Sequence, residues 1–140
     1  MRELVVGGTT RPLKWRLEQL ERLDAALSAH SDAVLEALAK DLGKPDVEAY
    51  FEVVAVRQEI SLCRRQLRRW IAPKKVSVPL SQRPGRAEVI AEPLGCVLII
   101  GPWNYPFHLA IQPLVSALAA GNTAILKPSE HAPATAQLIS

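Results

Sequence analysis

The first part of the chain carries apolar residues at helical spacing. Four leucines recur at steps of four, three and seven positions, which place them on one helical face, and they are Leu13, Leu17, Leu20 and Leu27. Thr10 and Pro12, which precede them, are residue types that commonly stand where a helix starts. The pattern therefore predicts an amphipathic helix from about residue 13.

Two further helices are predicted in residues 30–73. Ser31 is a candidate N-cap for the second helix and Gly43 a fitting stop, while Asp46 is a candidate N-cap for a longer third helix that ends before Pro73. The apolar positions of the second helix are Val34, Leu35, Leu38 and Leu42, and those of the third include Val47, Tyr50, Phe51, Val54, Ile60, Leu67 and Trp70. Residues 1–75 are accordingly predicted to form a helical layer.

The pattern changes to alternation after Pro73. Val76, Val78 and Leu80 alternate with polar residues or proline, and the alternation resumes at 87–91 after the turn signal at 83–86. Residues 76–92 are therefore predicted to form a half-buried β-hairpin. From the pattern alone, a subunit contact and a simple surface hairpin are both open.

Residues 93–140 hold two short apolar runs. The run at 96–100 has no polar interruption, as is typical of a parallel strand buried on both faces, and the run at 123–126 is similar. The helical residues between them end at Gly121, so the unit is a strand, a crossover helix and a strand, with an expected right-handed crossover. The fold class is predicted to be α/β, a helical layer followed by the start of a Rossmann-like parallel sheet.

Composition and charge restrict the function classes. The 140 residues are 49% hydrophobic and 22% charged, with a net charge of +3, which is typical of a soluble globular protein. The basic excess is concentrated at 64–75 without interleaved aromatics, so we interpret it as a solvated helix end and predict no nucleic-acid partner. Two cysteines provide no disulfide framework, and no signal peptide or membrane span is evident, so a cytoplasmic location is expected.

Candidate chemistry follows each of the two predicted strands. Ligands of open parallel sheets bind beyond the carboxyl ends of the strands, where residues 101–104 and Lys127 lie. Pro102 and Pro106 stiffen the turn around Asn104, and Gly101 allows a close backbone approach. Asn104 could donate a hydrogen bond to a developing oxyanion or could simply cap the following helix.

Three other residues have two possible interpretations each. Lys127 and Glu130 offer a donor and an acceptor for ribose hydroxyls, yet a Lys and a Glu three positions apart also form common surface ion pairs. Trp103 could form a wall of a cofactor pocket or pack as an ordinary core residue. Each of these signals is weak by itself.

Together, the motifs resemble the aldehyde dehydrogenase superfamily. The matching segments are Glu92-Pro93-Leu94-Gly95, Gly101-Pro102-Trp103-Asn104-Tyr105-Pro106-Phe107, Gln112-Pro113, Ala119-Ala120-Gly121-Asn122 and Leu126-Lys127-Pro128-Ser129-Glu130. The helical half, with Asp41-Leu42-Gly43-Lys44 and Glu48-Ala49-Tyr50, looks most similar to the class 3 or fatty-aldehyde branch. The resemblance covers essentially the whole chain.

The resemblance implies NAD- or NADP-dependent oxidation of an aldehyde to a carboxylic acid. It assigns Asn104 to oxyanion stabilisation, Lys127 and Glu130 to the adenosine ribose, and the cofactor-facing backbone to Ile100, Gly101, Pro102 and Trp103. It also implies that the hairpin mediates oligomerisation, so a homodimer is expected. The aldehyde itself and the choice between NAD and NADP stay open.

Essential parts of the family pattern lie beyond residue 140. The cofactor-binding glycine motif, the general-base Glu and the nucleophilic Cys have no counterpart here, and neither Cys63 in its helix nor Cys96 in its apolar strand suits the role of nucleophile. No Cys or His spacing predicts a metal site. With only two parallel strands, and a last predicted helix at 132–140, the chain is expected to be an N-terminal fragment without turnover of its own.

Two other function classes remain open at the level of the sequence. One is a non-catalytic nucleotide-binding or regulatory module, which would bind NAD⁺ tightly without the missing half. The other is a structural or oligomerisation module that associates through the hairpin without binding a cofactor.

Overall fold

The computed structural model describes residues 1–140 as six α-helices, four short strands and one 3₁₀ turn. In chain order, the elements are α1 (Arg2–Val6), α2 (Leu13–Ala29), α3 (Ser31–Leu42), α4 (Asp46–Trp70), β1 (Lys74–Val76), a 3₁₀ turn (Leu80–Gln82), β2 (Ala87–Val89), β3 (Cys96–Ile100), α5 (His108–Ala119), β4 (Thr123–Lys127) and α6 (Pro133–Ile139). The predicted α/β class, a helical layer followed by a parallel strand pair, is confirmed.

The starts of α3 and α4 differ from the predicted capping. Ser31 and Asp46 are the first residues inside these helices, and neither helix has a side-chain cap bond from the residue that precedes it. Gly43 does end α3 in the left-handed conformation, with φ of 62°. The bounds of these helices were therefore predicted better than the groups that cap them.

The buried face of α4 agrees with the predicted one at Ile60 and Leu67 but differs from it near the start of the helix. Val47, Tyr50 and Phe51 are exposed by 68%, 54% and 64%, although they are among the most apolar residues of the helix. The buried positions recur at steps of three and four along one face, and they are Ala49, Glu52, Val53, Val56, Ile60, Cys63 and Leu67. One charged residue, Glu52, lies on this buried face.

The main core lies between the helical layer and α5. Its 14 buried residues come from the four helices α2 to α5 and the turn before α5, and they are Leu20, Leu27, Val34, Leu38, Ala49, Val53, Val56, Ile60, Cys63, Leu67, Phe107, Ile111, Val115 and Ala119. This core fixes α5 against α2 and α4, so the turn that enters α5 is held by the helical layer.

Strands β3 and β4 pair in parallel, with Cys96 opposite Thr123 and Ile100 opposite Lys127. Only Ile99 of β3 is buried, so the predicted burial of this strand on both faces is wrong within these 140 residues. Helix α5 covers one face, while Leu98 and Ile125 on the other are 61% and 50% exposed. Cys96, expected to be a small buried residue, is exposed.

The hairpin is present but shorter and more exposed than predicted. Strands β1 and β2 pair antiparallel over three residues each, with Lys74 opposite Val89. Both strands are largely solvent-exposed, which corrects the expectation of a half-buried hairpin. None of the helices is long and apolar enough to cross a bilayer.

Buried polar side chains connect elements that are far apart in sequence. The Arg16 guanidinium, 4% exposed, donates to the carbonyl oxygens of Thr10 at 3.1 Å and Ala119 at 3.3 Å, so a cation satisfies the carboxyl end of α5. The Asp41 carboxylate accepts from the N–H groups of Ala134 at 2.9 Å and Thr135 at 2.7 Å at the start of α6. Burial by itself raises the pKa of Asp41, but these hydrogen bonds outweigh it and the net shift is downward.

Candidate functional site

The carboxyl ends of β3 and β4 meet at one edge of the sheet. Ile100 pairs with Lys127, and the backbone N–H of Gly101 donates to the carbonyl oxygen of Lys127 at 3.0 Å. The turn that carries Asn104 and the segment that carries Lys127 and Glu130 therefore leave the sheet at the same edge. The predicted common position of these two segments is confirmed.

Asn104 lies in the turn between β3 and α5 and is exposed. Helix α5 begins at His108 with Phe107 as the preceding residue, and no side chain of that turn caps it. The Asn104 side chain makes no hydrogen bond to the rest of the chain, so the alternative that Asn104 is a helix cap is wrong. Its amide donors are free to bind another molecule.

The role of a cap for α5 is taken by Glu52 of α4. Its Oε2 accepts hydrogen bonds from the backbone N–H groups of Phe107 at 3.2 Å and His108 at 2.9 Å, and its Oε1 pairs with the ammonium group of Lys44. Sequence analysis missed this residue. The available signal was one glutamate in phase with the buried residues Ala49, Val53 and Val56 of an amphipathic helix.

The ammonium group of Lys44 also contacts the Asn104 turn directly. It lies 4.0 Å from the centre of the Tyr105 ring, a distance typical of a cation–π interaction. The Lys44 side chain is only 11% exposed and the Glu52 side chain 1%. The turn therefore packs against a buried ion pair, in which Glu52 comes from α4 and Lys44 from the segment before α4.

Gly101 packs closely against helix α5. A Cβ placed at Gly101 would lie 3.1 Å from the Cβ of Ala110 in α5, which is closer than ordinary van der Waals contact. The absent side chain thus permits α5 to approach β3, and the close approach of a ligand, which the sequence suggested, stays a prediction.

The other predicted cofactor residues lie around the same edge. Lys127 and Glu130 form an ion pair with each other, and their side chains are 52% and 68% exposed. The hydrogen bond from Lys127 lowers the pKa of Glu130. Ile100 and Trp103 are 66% and 55% exposed, so the alternative of Trp103 as a core residue is wrong.

A surface pocket adjoins the Asn104 turn. It has a volume of about 360 Å³ and lies between α4 and the start of α5. Its lining residues are Phe51, Glu52, Val54, Ala55, Gln58, Tyr105 and His108. The exposure of Phe51, which a helical-face argument did not foresee, places an aromatic ring at the wall of this pocket.

Neither cysteine lies where it could attack a carbonyl held by Asn104. Cys63 is buried in α4, and burial, followed by the nearby Glu59 carboxylate, raises the pKa of its thiol to about 11. Cys96 is exposed but begins β3, whereas Asn104 follows the opposite end of that strand. Four residue steps along the strand separate Cys96 from Ile100, a distance of about 13 Å.

These environments predict different thiol reactivities. Iodoacetamide at pH 8 is expected to alkylate Cys96 of the folded chain rapidly and Cys63 slowly, because the Cys63 thiol is inaccessible and protonated. Peptide mass spectrometry over a time course measures both rates. A repeat in urea supplies the control, since both cysteines should then react at similar rates. Equal rates in the folded chain would contradict the described burial of Cys63.

No cluster of three or more His, Cys, Asp or Glu residues is arranged to hold a metal ion. The three histidines lie on separate elements. The ring of His108, the histidine that follows the Asn104 turn in the chain, is hydrogen-bonded to the side chain of Gln112 one turn along α5.

A parallel strand–helix–strand unit with a donor and an acceptor at its carboxyl edge is typical of nucleotide-binding α/β proteins. Comparison with known proteins specifies the family. The aldehyde dehydrogenase family pattern matches residues 9–140. The chain therefore belongs to the aldehyde dehydrogenase family.

Individual relatives agree with this assignment. The chain is 45% identical over 134 residues to aldehyde dehydrogenase family 3 member H1 of Arabidopsis thaliana, covering 95% of this chain and 28% of that protein. It is 42% identical over 135 residues to the dimeric NADP-preferring aldehyde dehydrogenase of Canis lupus familiaris, covering 96% and 30%. The solved structure of the substrate-bound state of Staphylococcus aureus AldH superposes with a TM-score of 0.95 at 42% identity, covering 99% and 30%. The chain thus spans less than a third of the length of these relatives.

Proposed function

We propose that the full-length protein containing these 140 residues oxidises an aldehyde to a carboxylic acid with NAD⁺ or NADP⁺. The observation that carries the proposal is the meeting of two segments at one sheet edge, joined by the hydrogen bond from Gly101 to Lys127. One segment presents Asn104 and the other presents Lys127 and Glu130. In this proposal, the chain supplies an oxyanion donor and part of the cofactor site, while the nucleophile and the general base come from outside residues 1–140.

Asn104 is proposed to stabilise the negative oxygen that develops when a nucleophile attacks the aldehyde carbon. Its side-chain NH₂ is unpaired within the chain and exposed, so it can donate without first breaking an internal bond. The adjoining pocket of about 360 Å³ leaves space beside the turn for a small aldehyde. Pro102 and Pro106 restrict the backbone on either side of this donor.

Lys127 and Glu130 are proposed to bind the adenosine ribose of the cofactor. Ribose hydroxyls both donate and accept hydrogen bonds, so an ammonium donor beside a carboxylate acceptor fits them chemically. Ile100, Gly101, Pro102 and Trp103 are proposed to line the cofactor along the same edge. The bound cofactor would supply the hydride acceptor for the oxidation.

The choice between NAD⁺ and NADP⁺ depends on the charges at this edge. The lowered pKa of Glu130 keeps this carboxylate ionised at neutral pH, and it would repel a 2′-phosphate, whereas Lys127 would attract one. The relative from Canis lupus familiaris is named as an NADP-preferring enzyme. The proposal therefore keeps both NAD⁺ and NADP⁺ as candidate cofactors.

Replacement of Lys127 by Met is expected to weaken cofactor binding about tenfold, because it removes a charged donor to the ribose. The measurement is a fluorescence titration of the full-length protein with NADH and NADPH. Lys14→Met is the matched control, since Lys14 forms a similar exposed pair with Glu18 on α2, away from the sheet edge. Equal affinities in the Lys127 variant and the parent would contradict the proposed ribose contact.

Two assembly and location proposals accompany the activity. The exposed β1–β2 hairpin, with Val76 and Val89 46% and 57% exposed, is proposed to pair with a second copy in a homodimer. The cytoplasm is the proposed location, because both cysteines are free thiols. Neither proposal calls for a nucleic-acid partner.

The decisive test of function is turnover by the full-length protein. Purified protein is incubated with NAD⁺ or NADP⁺ and a series of aliphatic and aromatic aldehydes, and the reduced cofactor and the carboxylic acid are both quantified. We expect both products in equal amounts with the full-length protein and none with the isolated 140-residue chain. Absence of both products from the full-length protein with every aldehyde would reject the proposal.

A further inference from the structure

The Asn104 turn receives buried electrostatic support from outside its own segment. We propose that Glu52 and Lys44 are positioning residues, which hold Asn104 in the orientation needed for oxyanion stabilisation without touching the substrate themselves. This inference rests on the proposed oxidation of aldehydes and extends it to two residues of the helical layer. The pair is called the Glu52–Lys44 clamp below.

The first half of the clamp fixes the start of α5. The first N–H groups of a helix have no partner within the helix, and they lie at the positive end of its dipole. Glu52 Oε2 accepts from two of these groups, those of Phe107 and His108. Because no residue of the turn supplies a side-chain cap, the position of the first turn of α5 depends on a carboxylate of α4.

The second half of the clamp fixes Tyr105. Lys44 pairs with Glu52 Oε1 and lies 4.0 Å from the centre of the Tyr105 ring. Tyr105 directly follows Asn104, so the clamp contacts the chain at one, three and four residues beyond the oxyanion donor. Burial of an isolated charge is unfavourable, and each member of the clamp therefore requires the other.

The function of the clamp follows from the absence of hydrogen bonds between the Asn104 side chain and the rest of the chain. Because there is no such bond, the backbone alone fixes the position of the Cβ from which the Asn104 amide reaches a substrate. Displacement of a catalytic group by about 1 Å can lower a rate by about 10²-fold. A clamp that acts on the neighbouring residues would therefore affect turnover more than binding.

Glu52→Gln separates the two halves with little change in shape. The carboxylate uses one oxygen for Lys44 and the other for the two backbone N–H groups. A glutamine has one acceptor oxygen, so its NH₂ must face either the ammonium group or the helix N–H groups, and one side is left without an acceptor. Lys44→Met removes the cation from the other side, whereas Lys44→Arg retains it.

Arg16→Met is the matched control. Arg16 satisfies the carboxyl end of the same helix through Ala119, at the end of α5 opposite Asn104. Loss of Arg16 should lower the melting temperature of the protein, but it should leave the orientation of Asn104 and the value of kcat unchanged. A general weakening of α5 is thereby distinguished from a displacement of the turn.

The experiment compares these variants in the full-length protein. For Glu52→Gln and Lys44→Met, we expect kcat to fall at least tenfold with the cofactor Kd unchanged, and amide hydrogen exchange at Tyr105, Phe107 and His108 to accelerate. Lys44→Arg should largely retain kcat. Unchanged kcat in a folded Glu52→Gln or Lys44→Met variant would overturn the proposal, as would an equal loss of kcat in Arg16→Met. If Glu52→Gln fails to fold, the kcat values of Lys44→Met and Lys44→Arg test the proposal, and equal values would overturn it. If the parent protein is inactive, only the proposed aldehyde oxidation is rejected. In that case, unchanged amide exchange at Tyr105, Phe107 and His108 in the variants would reject the clamp.

Discussion

Asn104→Ala in the full-length protein is expected to lower kcat by about 10² to 10³-fold, which corresponds to about 2.7–4 kcal/mol of transition-state stabilisation. The physical reason is the loss of the amide donor that the turn presents at the carboxyl edge of the sheet. Cofactor affinity should change little, because Lys127 and Glu130 lie on a different segment. Steady-state kinetics together with cofactor titration measure the two quantities separately.

The stability of this variant provides an internal control. Asn104 has no hydrogen bond within the chain and is exposed, so its replacement should leave the melting temperature unchanged. Asn104→Asp sharpens the test, because an ionised carboxylate has a similar shape but only acceptor groups and would repel an oxyanion. We expect kcat to decrease in the order Asn, Ala, Asp. Equal turnover in all three proteins would show that Asn104 has no role in the reaction.

Gly121→Ala is expected to destabilise the fold by about 2–5 kcal/mol, as the sum of backbone strain and overpacking. Gly121 has φ of 83°, and an added Cβ would lie 2.8 Å from the Arg16 guanidinium. That group is held by hydrogen bonds to Thr10 and Ala119. It can therefore move away only by losing them. Urea unfolding of the chain, followed by circular dichroism, measures the change in unfolding free energy.

Gly43→Ala separates the two contributions. Gly43 is also left-handed, with φ of 62°, but a Cβ there would meet nothing within 4 Å. This variant should lose only the strain, about 1–2 kcal/mol. The difference between the two variants then measures the clash with Arg16. Equal destabilisation would mean that Arg16 moves aside at no cost, and the described anchoring of α5 would be wrong.

Sequence patterns predicted a helix or strand well where the residues that determine it are close together in the chain. The start of α2 follows from leucine spacing, the end of α3 follows from a glycine that can adopt positive φ, and the pairing of β3 with β4 follows from two apolar runs with a helix between them. The edge shared by Asn104 and Lys127 was predictable for the same reason, since parallel strands end at the same side of a sheet.

Predictions of which face of an element is buried were less accurate, because they depend on the other elements that pack against it. An apolar run such as Cys96–Ile100 indicates a strand but does not specify how many layers cover it, and in these 140 residues one face of the sheet is largely exposed. Likewise, several helical faces of α4 contain apolar residues. Contacts with α2, α3 and α5 select the face of Val53 and Val56, leave Tyr50 exposed and place Phe51 at the wall of the pocket.

By itself, the sequence determined the α/β class, the start of α2, the bounds of α3 and α4, the family resemblance and the position of Asn104 between a strand and a helix. Each of these depends on residues that are close in the chain, or on motifs of consecutive residues. Only the tertiary structure identified the Glu52–Lys44 clamp, the anchoring of α5 by Arg16 and the packing role of Gly101. Glu52 is 55 residues from Phe107 and Arg16 is 103 residues from Ala119, so these contacts exist only after the helices pack around a common core.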